Sequence, residues 1–442
     1  MIGYEFEFFV IDKQINRPIN GRQFDQIHQK LAESGWTNKI DPVSGGINYS
    51  TKGEIALKTD VVLQIFELNM PPCKTIQLAD MEFRQITNEI KKVIENAGCK
   101  ILMIGGFPKR IDYCERTRGN DAIAYDVQLK ETVSDWYVIA GNHIWLDVEK
   151  EKIIQTTNAF HCLSGVLIAI FGNSSIIEGK IQPNLEQRNI VPERAIKYGF
   201  TFGIPKKRYK TFYQYLDLLI NSNFYFLVNA EGICFYPEKK ITYKEYFDGK
   251  NEVYCVDGHR GTEEAKIEYI EDLARRNFPE MRPKFKFKKG TTIEKFLKAF
   301  EKKDNEKILG MIEKTFLEIR TVPCQRYDRI SLAPAFVLGL QANLDKVIEY
   351  LDKKPYGYWA EFRQKAIQKG LDFELDRSSA VEIATDMLTL SLDGLLERKF
   401  GEEKYLEGIY EFIKNGQNPG QENLEIFKHY KVEKLIENNC IK

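Results

Sequence analysis

The chain predicts an α+β fold. Residues 1–330 mix strands and helices, residues 331–442 read as helices alone, and the two are expected to form one continuous domain. Three observations carry this. In GYEFEFF, residues 3–9, Tyr4, Phe6 and Phe8 alternate with Glu5 and Glu7, the two-residue period of a strand. Residues 60–70 repeat the pattern, with Ile65, Glu67 and Asn69 against Phe66, Leu68 and Met70. In residues 315–323, Leu317 and Ile319 share one face while Glu318 and Arg320 share the other. Carboxylates on an otherwise apolar strand are costly to bury unless a cation meets them. Such a face either meets water at an exposed sheet surface or meets a hard divalent metal, which takes oxygen ligands.

The other elements follow in order. A turn at 16–21 leads into an amphipathic helix over 24–34, and glycines at 44–46 and 52–54 punctuate short hairpin strands. Asp60 stands at the entrance of the strand 60–69, which Pro71 and Pro72 are expected to end. Leu78, Met81, Ile86, Ile90, Val93 and Ala97 approximate one face of a helix over 76–97, stopped by Gly98. Residues 100–104 read as a buried strand, and 135–148 as a strand carrying His143. A lone strand histidine is usually a hydrogen-bonded core residue, and becomes a metal-ligand candidate where carboxylates gather. The apolar run 160–171 reads as a buried helix, too short to span a bilayer. After Asn173 and Gly179, Arg188 and Arg194 lie in a polar loop; arginine grips carboxylates and phosphates with paired hydrogen bonds. A helix at 213–221, strand-like runs at 224–230 and 232–236, and an unassigned loop at 257–262 come next. The basic, aromatic segment 279–290 reads as a surface connection. Helices are then expected over 332–351, 356–369, 379–397, 402–414 and 423–439.

Composition narrows the function. The chain is 43% hydrophobic and 29% charged, with 64 basic and 64 acidic residues, which is ordinary for a soluble globular protein. Zero net charge gives no support for binding nucleic acid or an anionic membrane. No signal peptide is expected, and none of the eight cysteines forms a C-x-x-C pair, so a zinc ribbon or thioredoxin motif is excluded and a reducing cytoplasm is expected. A phosphate-binding G-x-x-x-x-G-K-[ST] loop, a G-x-G-x-x-G turn, a G-x-S-x-G elbow and an H-E-x-x-H helix are all missing. Any chemistry must rest on Glu, Asp, His and Arg spread along strands.

That order of elements resembles the glutamate–cysteine ligases, the gamma-glutamylcysteine synthetases of the glutamine-synthetase-like superfamily. Gly3-Tyr4-Glu5-Phe6-Glu7 is similar to the family's opening Gly-x-Glu-x-Glu strand. Asp60 with Glu67-Leu68-Asn69-Met70-Pro71 resembles its second acidic strand, and His143 the histidine of the next. Asn173-Ser174, Gly179 and Arg188 resemble an Asn-Ser, Gly and Arg series, and Glu318-Ile319-Arg320 the Glu-x-Arg strand. The resemblance spans residues 2–325. Ser175 departs from it, standing where many relatives have Pro, and the basic segment before residue 315 is read as lacking the family's Arg-x-Lys spacing.

The resemblance implies a curved, mainly antiparallel sheet forming a funnel-like active site, with helices outside. It implies an ATP- and Mg²⁺-dependent carboxylate–amine ligase, with Mn²⁺ as a substitute metal. The expected reaction is that of glutamate–cysteine ligase in glutathione biosynthesis, through a γ-glutamyl phosphate. Glu5, Glu7, Asp60, Glu67, His143 and Glu318 are the implied metal ligands. Arg320 and Glu318 are the implied catalytic residues, and Arg188 and Asn173 are implied to bind substrate. The implied partners are small molecules (ATP, glutamate, and cysteine or another amine), with no nucleic acid or membrane, on a monomer or small homo-oligomer. A gamma-glutamyl ligase for a different amine, and a homologue that binds nucleotide without turnover, stand as alternatives.

Overall fold

The three acidic strands, far apart in sequence, become near neighbours in one sheet. The computed structural model describes residues 1–129, 133–191, 193 and 202–442; Arg194 lies outside them. Nine strands form this sheet: β1 (Ile2–Asp12), β2 (Thr37–Ile40), β3 (Ile47–Lys52), β4 (Ile55–Thr59), β5 (Ile65–Cys73), β6 (Cys99–Leu102), β7 (Asn142–Val148), β8 (Met281–Phe287) and β9 (Ile312–Ile319). Their order is β8-β9-β7-β1-β5-β4-β3-β2, with β6 beside the far half of β1, and every pairing is antiparallel. The expected α+β class with a mainly antiparallel sheet is what the chain adopts.

Helices cover one face of the sheet. Tyr4, Phe6 and Phe8 of β1 are buried there, the Phe6 ring packing at a tilt against Phe83 of α2 (Ile76–Asn96), centroids 4.3 Å apart. Thr75 caps α2 by accepting from the Leu78 amide. On α1 (Gly21–Glu33), Asn20 and Gln23 form a reciprocal capping box, and Phe24, Ile27 and Leu31 point into the core. α4 (Ile153–Phe171), which follows α3 (Asn120–Leu129) in the chain, is longer than the apolar run alone suggested. Its 19 residues meet the length and composition of a bilayer-crossing helix, yet it is buried almost throughout between the sheet and the C-terminal helices. Among those helices, α5 (Tyr356–Lys369) lies closest to it.

Several boundaries differ from expectation for local reasons. Asp60 is not on the strand but in the turn between β4 and β5. Pro71 and Pro72 do not end β5; they sit beyond its pairing with β4, where a bulge shifts the β1 register between Ile2 and Tyr4. β7 starts only at Asn142, after a 3₁₀ turn at Val133–Val138. The expected helix 332–351 breaks at Asn343, whose backbone amide still bonds the Gly339 carbonyl while its side-chain amide donates to the Leu390 carbonyl. In the loop 257–262, residues 257–259 belong to the turn of a hairpin in a separate four-stranded sheet and Arg260–Thr262 form its second strand.

The largest correction concerns residues 279–290, which are not a surface connection. They supply β8, an edge strand whose Met281, Pro283, Phe285 and Phe287 are buried and whose Arg282 and Lys284 face the opposite side. Pro283, which cannot donate to a ladder, is tolerated at this edge.

Gly165 of α4 has no room for a side chain, since a Cβ would lie 2.7 Å from the Phe362 ring and 2.8 Å from the Arg363 backbone. Gly165→Ala is therefore expected to destabilise the protein by about 1–3 kcal/mol, despite alanine's better helix propensity. Urea denaturation checks this; a neutral or stabilising effect would show that the two helices part easily.

Candidate active site

The face of the sheet opposite the helices forms the floor of a cavity of about 640 Å³. Antiparallel register arranges its side chains in three cross-strand rows. Lys58 of β4 pairs with Glu67 of β5, and Glu67 with Glu7 of β1. In the next row Asn69 pairs with Glu5, and Glu5 with His143 of β7. In the third, Trp145 pairs with Glu318 of β9, and Glu318 with Arg282 of β8. The alternation read in each strand thus becomes a patch of alternating charge once the strands are side by side.

Glu5, Glu7 and His143 each offer a ligand atom, and the three atoms lie within 4.8 Å of one another. His143 Nδ1 is 2.5 Å from Glu5 Oε1, and Arg188 Nη2 is 3.1 Å from His143 Nε2. This network assigns a neutral ring that donates from Nδ1 and accepts at Nε2. Burial, then the nearby Arg320, pushes His143 down to about 4, in keeping with that tautomer. Burial opposes ionisation of Glu5, but the His143 ring holds its carboxyl well below the usual range. Glu7 is pushed up to about 8 by burial, helped by Asp60 and Glu67, although Arg188 opposes. Glu67 rises to about 7 through burial and the Glu5 charge, although Lys58 sits 2.7 Å away. These carboxylates repel one another in a buried place, so the set has an unmet demand for positive charge. Oxygen donors at this spacing fit a hard divalent cation.

Glu318 is placed differently. Its carboxylate lies 2.6 Å from Arg320 Nη1, 2.8 Å from Lys284 Nζ and 3.5 Å from Arg282 Nε. Burial opposes its ionisation, but these cations hold it far below the usual range. As a metal ligand it must exchange one of these partners for the ion. Lys284 Nζ also stacks over Trp145 at 3.7 Å, and burial pushes it down to about 8 despite Glu318.

Glu5, Glu7, Asp60, Glu67, His143, Glu318, Arg188 and Arg320 all line the cavity. Asn173 does not. Its side-chain amide donates to the Cys324 carbonyl at 2.7 Å, and its oxygen accepts from Asn423, so it ties the C-terminal helix Pro419–Asn439 to the back of the site. The structure thus places Asn173 behind the cavity and not on its lining, where a substrate-binding role was expected. Arg188 reaches the cavity, but Nη1 is spent on the Arg320 carbonyl at 2.7 Å and Nη2 on His143. Its guanidinium packs against Gly141, where a Cβ would overlap it. Its Nε has no partner among the described residues, so the guanidinium is only partly committed.

Sequence reasoning missed Lys58, Arg282 and Lys284. The last two were discoverable: Arg282-Pro283-Lys284 is the Arg-x-Lys spacing read as missing, and it alternates with buried apolar residues as a strand does. Tyr125, Trp136, Ile139, Val228 and Phe278 add apolar and aromatic lining, with the Phe278 ring under Arg282 and Arg320.

An antiparallel sheet thus presents acidic and basic rows side by side to one cavity, a floor suited to holding a hard cation next to an anionic group. Residues 1–194 match the model of glutamate-cysteine ligase family 2. The chloroplastic glutamate–cysteine ligase of Medicago truncatula is 23% identical over 456 residues, covering 99% of this chain and 80% of that protein. The Arabidopsis thaliana enzyme is 23% identical over 443 residues, covering 96% and 76%. Among solved structures, the glutamate–cysteine ligase of Francisella tularensis in complex with AMP superposes with a TM-score of 0.55 at 13% identity, covering 99% of this chain and 87% of that one. A bifunctional glutathione synthetase from Pasteurella multocida gives 0.54 at 11%, covering 99% and 51%. Over nearly its whole length the chain is similar to these glutamate–cysteine ligases, and it shares the fold of the solved one.

Gly141→Ala should displace the Arg188 guanidinium and with it the hydrogen bond that orients His143. Ligase turnover is expected to fall about 10–100-fold, as for other losses of ligand-orienting contacts. Steady-state kinetics beside a melting curve would check this; unchanged turnover would mean that Arg188 does not orient the ring.

Proposed function

We propose that the protein joins the γ-carboxyl of glutamate to the amino group of cysteine, consuming ATP with Mg²⁺ and passing through γ-glutamyl phosphate. The observation that carries this is the adjoining of an acidic cluster (Glu5, Glu7, Glu67, His143) and a basic one (Arg282, Lys284, Arg320) across Glu318 in one cavity. The relatives' names supply the substrates. The eight cysteines, all unpaired, suit a reducing cytoplasm.

Glu5, Glu7, Glu67 and His143, with Asp60 at the rim, would hold the metal ions. Mg²⁺ held there would cancel triphosphate charge and stabilise the charge that develops during phosphoryl transfer. Arg320, Lys284 and Arg282 donate to phosphoryl oxygens as the γ-carboxylate oxygen attacks phosphorus and the bond to ADP breaks. The amine nitrogen then attacks the acyl carbon, the bond to phosphate breaks, and phosphate leaves with the amide formed and the amine proton lost to water. Charged donors in a low-dielectric cavity do this work without reorganising at the moment of reaction.

A panel of amines with ATP, Mg²⁺ and glutamate, read by mass spectrometry for the amide, tests the assignment. Phosphate release that needs glutamate but ignores cysteine would overturn the thiol substrate. Glu7→Ala and Glu67→Ala are each expected to lower metal affinity or activity by about 10–100-fold or more; wild-type turnover in both would refute the metal assignment.

Binding should also depend on pH. With Glu7 at about 8 and Glu67 at about 7, Glu7 is mostly and Glu67 about half protonated at neutral pH when no metal is bound, and a metal must displace those protons. Mg²⁺–nucleotide affinity is expected to rise from pH 6 to above 8 and then level off, with proton release at pH 7. Calorimetry in buffers of different ionisation enthalpy measures that release; a buffer-independent heat would contradict it.

A further inference from the structure

We infer that Arg363, supplied by helix α5 of the helical C-terminal region, is a positioning residue for Arg320 and acts on it through Glu280. The inference rests on the ligase reading above.

Arg363 is 1% exposed and sits behind the sheet, away from the cavity. Glu280 is 5% exposed, lines the cavity, and immediately precedes β8. Arg363 Nε donates to Glu280 Oε1 at 2.8 Å, and Nη2 donates to the same oxygen. Nη2 also reaches Glu193 Oε1 at 2.8 Å, and the Ser164 hydroxyl of α4 holds Glu280 Oε2. The Glu280 carboxylate is thus locked on both oxygens by groups from two helices.

Its backbone transmits that lock. The Glu280 carbonyl accepts the Arg320 amide at 2.8 Å, and its own amide donates to the Gly203 carbonyl at 3.0 Å. Met281 pairs with Ile319, so Glu280 and Arg320 are the next step of the β8–β9 ladder, just past the end of β9. At that place the Arg320 backbone has left the regular strand. The Glu280 hydrogen bond and the Arg188 contact to the Arg320 carbonyl then hold it. A guanidinium fixed on α5 therefore sets the position from which Arg320 reaches Glu318 and a transferring phosphoryl group. A buried arginine with two carboxylate partners and no face on the cavity is otherwise an expensive way to hold two helices together.

The experiment uses the full-length protein with ATP, Mg²⁺, glutamate and cysteine. Amide formation by the wild type establishes the ligase reading first; its absence would sink that reading and leave Arg363 out of account. In an active wild type, Arg363→Met and Glu280→Gln are each expected to lower kcat about 10–100-fold. KM for ATP and glutamate should be unchanged, and Arg363→Lys should restore part of the loss through its single ammonium. The double variant should lose little more than either single one, because both act through one contact. Glu280→Gln keeps the size but removes the charge that pairs with Arg363 and turns one accepting oxygen into a donor, so it stays informative if Arg363→Met fails to fold. Full kcat in folded Glu280→Gln, losses that add in the double variant, or KM rising in step with the loss of kcat would each overturn the inference.

Discussion

The site depends on holding like charges together on one face of a sheet. Glu5, Glu7 and Glu67 stand in adjacent cross-strand rows, all nearly buried, where two carboxylates cannot cheaply be ionised side by side. The protein answers part of the demand with Lys58 and the His143 ring, and leaves the rest as carboxyls that cling to their protons. What tolerates this strain is the other face of the same strands. Tyr4, Phe6 and Phe8 are locked among aromatic neighbours, so the carboxylates cannot swing away to relieve it.

A second balance is set at the other end of the same floor. Glu318 gathers Arg320, Lys284 and Arg282 around one carboxylate, which keeps three cations aligned without a substrate present. Acidic and basic clusters are then only one strand apart, with His143 between them on β7. Metal ions and phosphoryl oxygens make complementary demands at that distance, which is why the arrangement suits phosphoryl transfer better than a solvated sheet face would.

The parts outside the sheet are tied into this floor by buried polar contacts. Asn173, Asn423 and Asn439 run as a hydrogen-bonded chain from the C-terminal helix to the Cys324 carbonyl. Ser174 accepts the Gln187 and Arg188 amides and so sets where the Arg188 side chain begins. Such groups cost free energy to bury unless satisfied, and they are satisfied in one arrangement, so they select that arrangement over looser packing.

Much of the fold was legible because strand alternation and helix periodicity are local. Glu5, Glu7, Glu67 and Glu318 announced themselves as charges where burial was expected, and their shared face followed from the two-residue period. Less was legible where the local signal was ambiguous. Residues 281–287 mix cations with aromatic rings, a pattern that fits both a surface segment and an edge strand, and pairing with β9 decides between them.

By itself the sequence determined which strands carry charge and on which face, since that depends on side-chain order alone. Only the tertiary structure decided which charges meet. Strand order placed β1 between β5 and β7, and register set Glu5 opposite His143 and Glu318 opposite Arg282. It likewise turned Asn173 inward and committed Arg188 to its neighbours, because a side chain's partners come from segments more than a hundred residues away.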